Sequence, residues 1–186
     1  FLSVFPEYAK TSPVEGRVVS IVEMPHVDIV LLDSLAELPD LKLRQSTTVS
    51  GEISGGQIEW LQEFTKENKR RLVLGAHHPL NEMANLEQFI AQTPAVAGYI
   101  YGHTHIWDKS VRVVRPRKEL HMVQTVGLPA TFYGDIGFVV MRSTPEAIKF
   151  EYSSKGFWWP QPKENPPAEW LSRAKDLSDE HCQFLL

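Results

Sequence analysis

A chain of 186 residues with 42% hydrophobic and 23% charged side chains has the balance of a globular domain and room for one ordinary core. No apolar run approaches the roughly 18 residues that a membrane-spanning helix needs, and no basic-then-apolar leader opens the chain. A formal charge of -4 excludes a surface built to replace the counterions of long nucleic acids, and leaves small phosphorylated substrates open.

The single cysteine, Cys182, forbids an intramolecular disulfide and favours a reducing compartment, hence the cytoplasm. It lies in a polar stretch that reads as helical.

In chain order, residues 17–24 and 27–33 read as two strands rich in β-branched side chains, parted by the turn-prone Pro25-His26. The periodicity fades between Ser34 and Gly51, where Pro39-Asp40 and a Ser/Thr run predict a surface loop. A helix follows over 56–68: Ile58, Trp60, Leu61 and Phe64 recur at spacings of three and four, with Ser54 as its N-cap. It leads to a strand at 71–76, a crossover that predicts a parallel strand pair. The unit repeats with a helix over 84–92, Leu86, Phe89 and Ile90 facing inward, and a strand over 95–101. Beyond Trp107 the pattern is all-β, with antiparallel strands predicted at 110–114, 120–126, 136–142 and 146–152. From Gly156 a Trp- and Pro-rich stretch reads as a strap, closed by a helix over 168–177. The expected division is therefore a domain over 1–155 and a strap with terminal helix over 156–186.

Both apolar runs of the repeated unit end in histidines. His77-His78-Pro79 follows Leu72-Val73-Leu74-Gly75-Ala76, and Gly102-His103-Thr104-His105 follows Val96-Ala97-Gly98-Tyr99-Ile100-Tyr101. Ligand sites in α/β sheets lie outside the carboxyl ends of the strands, and imidazole is the commonest side-chain metal ligand. His-x-His on an extended backbone points both rings to one side, where neutral nitrogens bind one cation or two neighbouring ones. At His77-His78 the rings diverge, so at most one of the two is expected to be a ligand. His26, His121 and His181 lack such a setting and read as structural or exposed. Lys109, Arg112, Arg115, Arg117 and Lys118 read as a charged strand edge or as the wall of a phosphate pocket. Asn81 is a turn residue or a substrate contact, and the aromatics Phe157, Trp158, Trp159 and Trp170 read as packing of the strap.

The stretch Leu74-Gly75-Ala76-His77-His78-Pro79, followed by Tyr101-Gly102-His103-Thr104-His105, resembles the second half of the calcineurin-like metallophosphoesterase family. Leu31-Leu32-Asp33-Ser34, Gly51-Glu52-Ile53 and Gln57-Ile58-Glu59-Trp60-Leu61 are similar to its cyclic-nucleotide-phosphodiesterase-like members, so the resemblance spans residues 27–152. It implies an α/β fold of two sheets sandwiched between helices, of which this chain covers mainly the C-terminal half. It also implies two divalent or trivalent metal ions (Mn, Fe, Zn or Mg) and hydrolysis of a small phosphomonoester or phosphodiester by a metal-bound hydroxide. By position, the resemblance gives His77 and His103 to one metal and His105 to its neighbour, with His78 behind the ligands or facing substrate. The family's Asp-x-His, Gly-Asp-x-x-Asp and Gly-Asn-His-Asp/Glu motifs have no match in the chain. The expectation is that they precede Phe1 in the same polypeptide, or reside in a partner chain. Two readings stand beside the enzyme: a metallophosphoesterase-like scaffold that binds a partner without catalysis, and a mononuclear zinc site of His77, His103 and His105.

Overall fold

A computed structural model describes residues 10–35, 51–114, 121–130, 134–158 and 180–185. The fold is α/β, and the described residues include two sheets, two complete α-helices and a short 3-10 turn over Leu80–Glu82. The first sheet has six strands in the order β1-β2-β3-β4-β6-β5, formed by β1 (Ser20–Glu23), β2 (Asp28–Leu31), β3 (Leu72–Ala76), β4 (Val96–Tyr101), β5 (Asp108–Val114) and β6 (His121–Gly127). The middle run β2-β3-β4-β6 is parallel, and β1 and β5 pair antiparallel at the two edges. The second sheet is an antiparallel set of β7 (Gly134–Ser143), β8 (Ala147–Trp158) and β9 (Glu180–Leu185). The helices are α1 (Gly55–Glu67) and α2 (Ala84–Gln92).

Strand alternation sorts the core into two layers. Val30, Leu72, Leu74, Val96, Tyr99 and Val123 pack beneath the helices with Leu61, Leu86, Phe89 and Ile90. Ile29, Val73 and Val126 point the other way, where Ile148, Phe150 and Tyr152 of β8 meet them with Trp107. Each central strand is thus apolar on both faces because one face carries helices and the other a second sheet. The ladder between β3 and β4 shifts between Leu72 and Val73, whose partners are Val96 and Gly98, so Ala97 is the extra residue. That bulge lets Val96 and Tyr99, three apart in sequence, face the same layer. Gly75 allows a tight contact here: a Cβ would lie 2.8 Å from Ile100 Cγ1 and 2.9 Å from Leu31 Cδ2.

The helices keep the expected bounds within a residue. Ser54 occupies the N-cap position of α1, but its hydroxyl makes no cap to the helix backbone and accepts instead from the Gln57 amide at 3.3 Å. Trp60 and Phe64 stack with centroids 5.1 Å apart on the outer side of the same core.

Three features differ from the sequence expectations. The predicted 110–114 and 120–126 strands form a hairpin that extends the first sheet through β6 and does not join the later strands. The strand predicted at 146–152 runs on through Gly156 to Trp158, so the point where the strap was expected to begin lies inside β8. Cys182 belongs to a strand, paired with Phe150, and not to a helix. The expected loop at 36–50, most of the basic segment and the helix expected at 168–177 lie outside the described residues. No described helix is long and apolar enough to cross a membrane.

At the amino ends of the parallel strands, buried Asp28 ties α1 to the sheet. It accepts from Asn68 Nδ2 at 2.7 Å and from Arg70 Nε at 2.8 Å, and Arg70 also donates to the Met24 carbonyl. Asp28→Ala leaves two donors without their acceptor and is expected to lower unfolding free energy by about 2 kcal/mol, read from urea denaturation. Arg70→Ala, at a half-exposed partner, is expected to cost less.

Candidate metal centre

Three adjacent parallel strands deliver three short segments to one edge of the sheet. β2 runs out into Asp33-Ser34, β3 into His77-His78 and β4 into Gly102-His103. The register that pairs Leu31 with Gly75, and Gly75 with Ile100, brings these ends level. The Gly102 N–H donates to the His77 carbonyl at 3.1 Å, which continues the β3-β4 ladder past the last paired residues.

His77, His78 and His103 each offer a nitrogen, and those nitrogens lie within 4.8 Å of one another. His103 Nδ1 and His77 Nε2 are 3.2 Å apart, sharing one proton in the place that a cation takes when two imidazoles ligate it. Ring centroids are 5.0 Å apart for His77 and His78, 5.1 Å for His77 and His103, and 4.8 Å for His78 and His103. The structure thus brings His77 and His103 together, with His78 as the third member of the cluster. His105 stands outside it, though its charge acts on His77. The reason lies in the backbone. His103 and His105 both have left-handed φ, at 61° and 56°, so the extended geometry that would align two alternate rings does not hold. His26 and Asn81 are exposed, and neither joins the cluster.

The loop that holds His103 and His105 is pinned from the second sheet. Asp135, buried at the start of β7, accepts from the Trp107 N–H at 2.8 Å, and its own N–H donates to the His105 carbonyl at 2.9 Å. Gly134 is required beside it: φ is +89°, and a Cβ would lie 2.2 Å from the His105 carbonyl oxygen. Left-handed backbone at two histidines costs energy that this clamp holds in place.

His78 is packed on every side. Its ring Nδ1 lies 2.9 Å from Ser34 Oγ, and its carbonyl accepts from the buried Tyr99 hydroxyl at 2.6 Å. Gly51 lies flush against the ring, since a Cβ there would sit 2.5 Å from His78 Cβ. Ser34 is itself fixed through its neighbour: the fully buried Gln57 accepts from the Asp33 N–H at 2.9 Å and donates to the Asp33 carbonyl at 2.8 Å. Burial pushes the Tyr99 phenol well up, so it stays a proton donor to the His78 carbonyl. Ser34, Gln57 and Gly51 were not singled out as site residues by the sequence; the position of Ser34 at the end of β2, matching the histidines at the ends of β3 and β4, was the available signal.

His77 titrates below its ordinary value of 6.5. Partial burial is the largest cause, followed by the imidazoles of His78, His103 and His105, while Glu82 acts in the opposite direction. Above pH 6.5 the ring is neutral in both folded and unfolded chains, so it leaves stability unchanged. As pH falls below 6.5 the unfolded chain takes up a proton that the folded ring resists, and stability falls until the folded value is passed. The expected result is that urea midpoints of the metal-free protein drop more steeply with acidification than those of His77→Gln.

The donor set suits a cation in the borderline class, because neutral imidazoles bind Zn or Fe well and are poorer partners for the hard cations Ca and Mg. No carboxylate belongs to the cluster among the described residues. No protein-family model matches the sequence, and no curated protein matches it.

Proposed function

We propose that this chain carries the histidine side of a metal-dependent phosphoesterase of the calcineurin-like type, acting on a small phosphomonoester or phosphodiester. The observation that supports this reading is the convergence of His77, His78 and His103 within 4.8 Å at the carboxyl ends of adjacent parallel strands. His77 and His103 would hold a first cation, and His105, one residue beyond Thr104, would serve a second. Such cations, when bound, polarise phosphoryl oxygens and make water a competent nucleophile at neutral pH. The chain's own contribution is placement. The β3-β4 ladder fixes the spacing of His77 and His103, the Asp135 clamp holds the loop bearing His103 and His105, and the buried Ser34-Gln57 contacts keep His78 from swinging away. The two-cation centre and the two-sheet sandwich of that family belong to this reading, with the remaining ligands supplied by a further segment or a partner chain.

A second reading, a scaffold that binds a protein partner without catalysis, is favoured by one observation. Ile21 and Val22 of β1, Leu31 of β2 and Leu35 just beyond it are exposed large apolar side chains along one edge of the first sheet. One experiment separates the two. Metal content per chain is measured after loading with Mn2+, alongside hydrolysis of an aryl phosphodiester with and without chelator. The phosphoesterase reading expects bound metal, chelator-sensitive turnover, and loss of metal in His77→Ala and His103→Ala by more than about 100-fold in affinity. Bound metal without turnover supports the scaffold, and absence of metal overturns the enzyme.

A further inference from the structure

His77 is the most exposed of the three histidines in the cluster, so packing does little to aim its ring and the backbone must do so. A side chain leaves Cα in a direction fixed by the two flanking peptide groups, and a residue whose N–H and carbonyl are both pinned therefore has its Cβ pinned as well. At His77 both are engaged, one by each neighbouring strand. On the β4 side, the Gly102 N–H donates to the His77 carbonyl at 3.1 Å, one residue before His103. On the β2 side, the backbone ladder gives way to a side chain. The Leu32 N–H still donates to the Gly75 carbonyl at 2.8 Å, but two residues past Gly75 the His77 N–H donates to Ser34 Oγ, at 3.1 Å. The His78 N–H reaches the same oxygen at 3.4 Å.

We infer that Ser34 is the positioning residue of His77 as a metal ligand: its hydroxyl stands in for a ladder carbonyl and ties the span between His77 and His103 to the β2-β3-β4 sheet. The metal part of this inference rests on the phosphoesterase reading; the fastening of the strand end does not. The setting of the ring agrees with it. A Cβ built on Gly102 lies 3.5 Å from His77 Nδ1, while His77 Nε2 lies 3.2 Å from His103 Nδ1. A shift of the His77 backbone is thus passed to the nitrogen that meets its partner ligand. Ser34 can hold another residue because it is itself held. It is 2% exposed, its oxygen also lies 2.9 Å from His78 Nδ1, and the N–H and carbonyl of Asp33 before it are both bonded to the Gln57 amide. Removal of the hydroxyl leaves two backbone N–H groups at the exit of β3 without this acceptor.

The test compares the parent with Ser34→Ala and with Asp28→Ala, a variant destabilised at the amino ends of the same strands. The first measurement is amide hydrogen exchange of the metal-free protein. Ser34→Ala is expected to speed exchange at the His77 amide by about 10-fold beyond the rise that Asp28→Ala produces there. An unchanged rate at His77, or an equal rise in both variants, overturns the inference. The second measurement titrates Co2+, whose visible absorption reports the arrangement of its ligands. Ser34→Ala is expected to bind about 10-fold more weakly and with an altered spectrum, whereas Asp28→Ala keeps both affinity and spectrum, a split that a merely structural serine would not produce. His77→Ala sets the scale of a lost ligand, at more than about 100-fold. Parent affinity and spectrum in Ser34→Ala, or the same change in Asp28→Ala, overturns the positioning role. If the parent takes up no Co2+, the phosphoesterase reading fails together with the ligand role of His77, and exchange at the His77 amide still decides whether Ser34 fastens the strand end.

Discussion

Replacing Trp107 by alanine is expected to lower the unfolding free energy by about 3–5 kcal/mol, the cost of emptying a large buried aromatic site. Trp107 is 1% exposed and stacks on Tyr152 of β8, with ring centroids 5.0 Å apart and planes at 19°. It fills the layer between the two sheets together with Ile29, Val73, Val126, Ile148 and Phe150. Its position, two residues past His105, gives the substitution a second effect. The indole and the Trp107 N–H bond to Asp135 together fasten the end of the histidine loop, and alanine keeps only the latter. Metal affinity should therefore fall along with stability. Trp107→Phe, which preserves a ring against Tyr152, is expected to recover more than half of the lost stability in urea denaturation and most of the metal affinity. Equal losses for alanine and phenylalanine would mean that the inter-sheet stack does not hold the loop.

The two crossover units were legible because each joins signals that agree: an apolar run too short for a helix, a helix with its apolar side chains at three- and four-residue spacing, and another apolar run. That agreement also fixed the parallel order of β2, β3 and β4, and so the edge at which the histidines meet. The later strands were legible as strands only. The residues of β5 and β6 mark them as strands but do not say which sheet they join. Their membership of the first sheet comes from pairing of Gly98 through Tyr101 with Gln124 through Gly127, a contact that leaves no local mark. The extension of β8 past Gly156 was hidden by a residue that reads as a break, although its φ of +134° is a conformation that glycine takes without strain.

At the site, His77 and His103 were visible because histidine at a strand end is an unusual residue in a meaningful place. Ser34 has the same placement and went unseen, since serine after a strand is what any loop begins with. Gln57 shows the same limit from another side. It stands on the inner face of α1 among apolar residues, where a polar side chain signals a buried partner, but its partner is the backbone of Asp33, which no side-chain pattern encodes. The choice between His78 and His105 as the neighbour of His77 and His103 depended on two left-handed residues. A period of two assumes extended backbone, and His103 and His105 both depart from it.

That departure is held by Gly134, and the cost of removing its freedom can be separated into two parts. Gly16 has φ +70° with nothing within 4 Å of a built Cβ, so Gly16→Ala is expected to cost only the left-handed penalty, about 1 kcal/mol. Gly134 has φ +89°, and its Cβ would meet the His105 carbonyl oxygen at 2.2 Å and His105 Cβ at 3.0 Å. Neither of those atoms is the end of a flexible side chain. Relief requires moving the backbone of the histidine loop, which would also break the 2.9 Å bond from the Asp135 N–H to the same carbonyl. Gly134→Ala is therefore expected to cost about 3–4 kcal/mol, the left-handed penalty plus a backbone clash and a lost buried hydrogen bond. It should also lower affinity for Mn2+, because the displaced carbonyl belongs to the loop that aims His103. Gly16→Ala should leave Mn2+ affinity at the parent value, since it alters no residue of that loop. Paired urea denaturation and Mn2+ titration of the two variants read both effects. Matching stability losses with unchanged affinity would show that the loop gives way freely and that the β7 clamp does not set the geometry of the histidines.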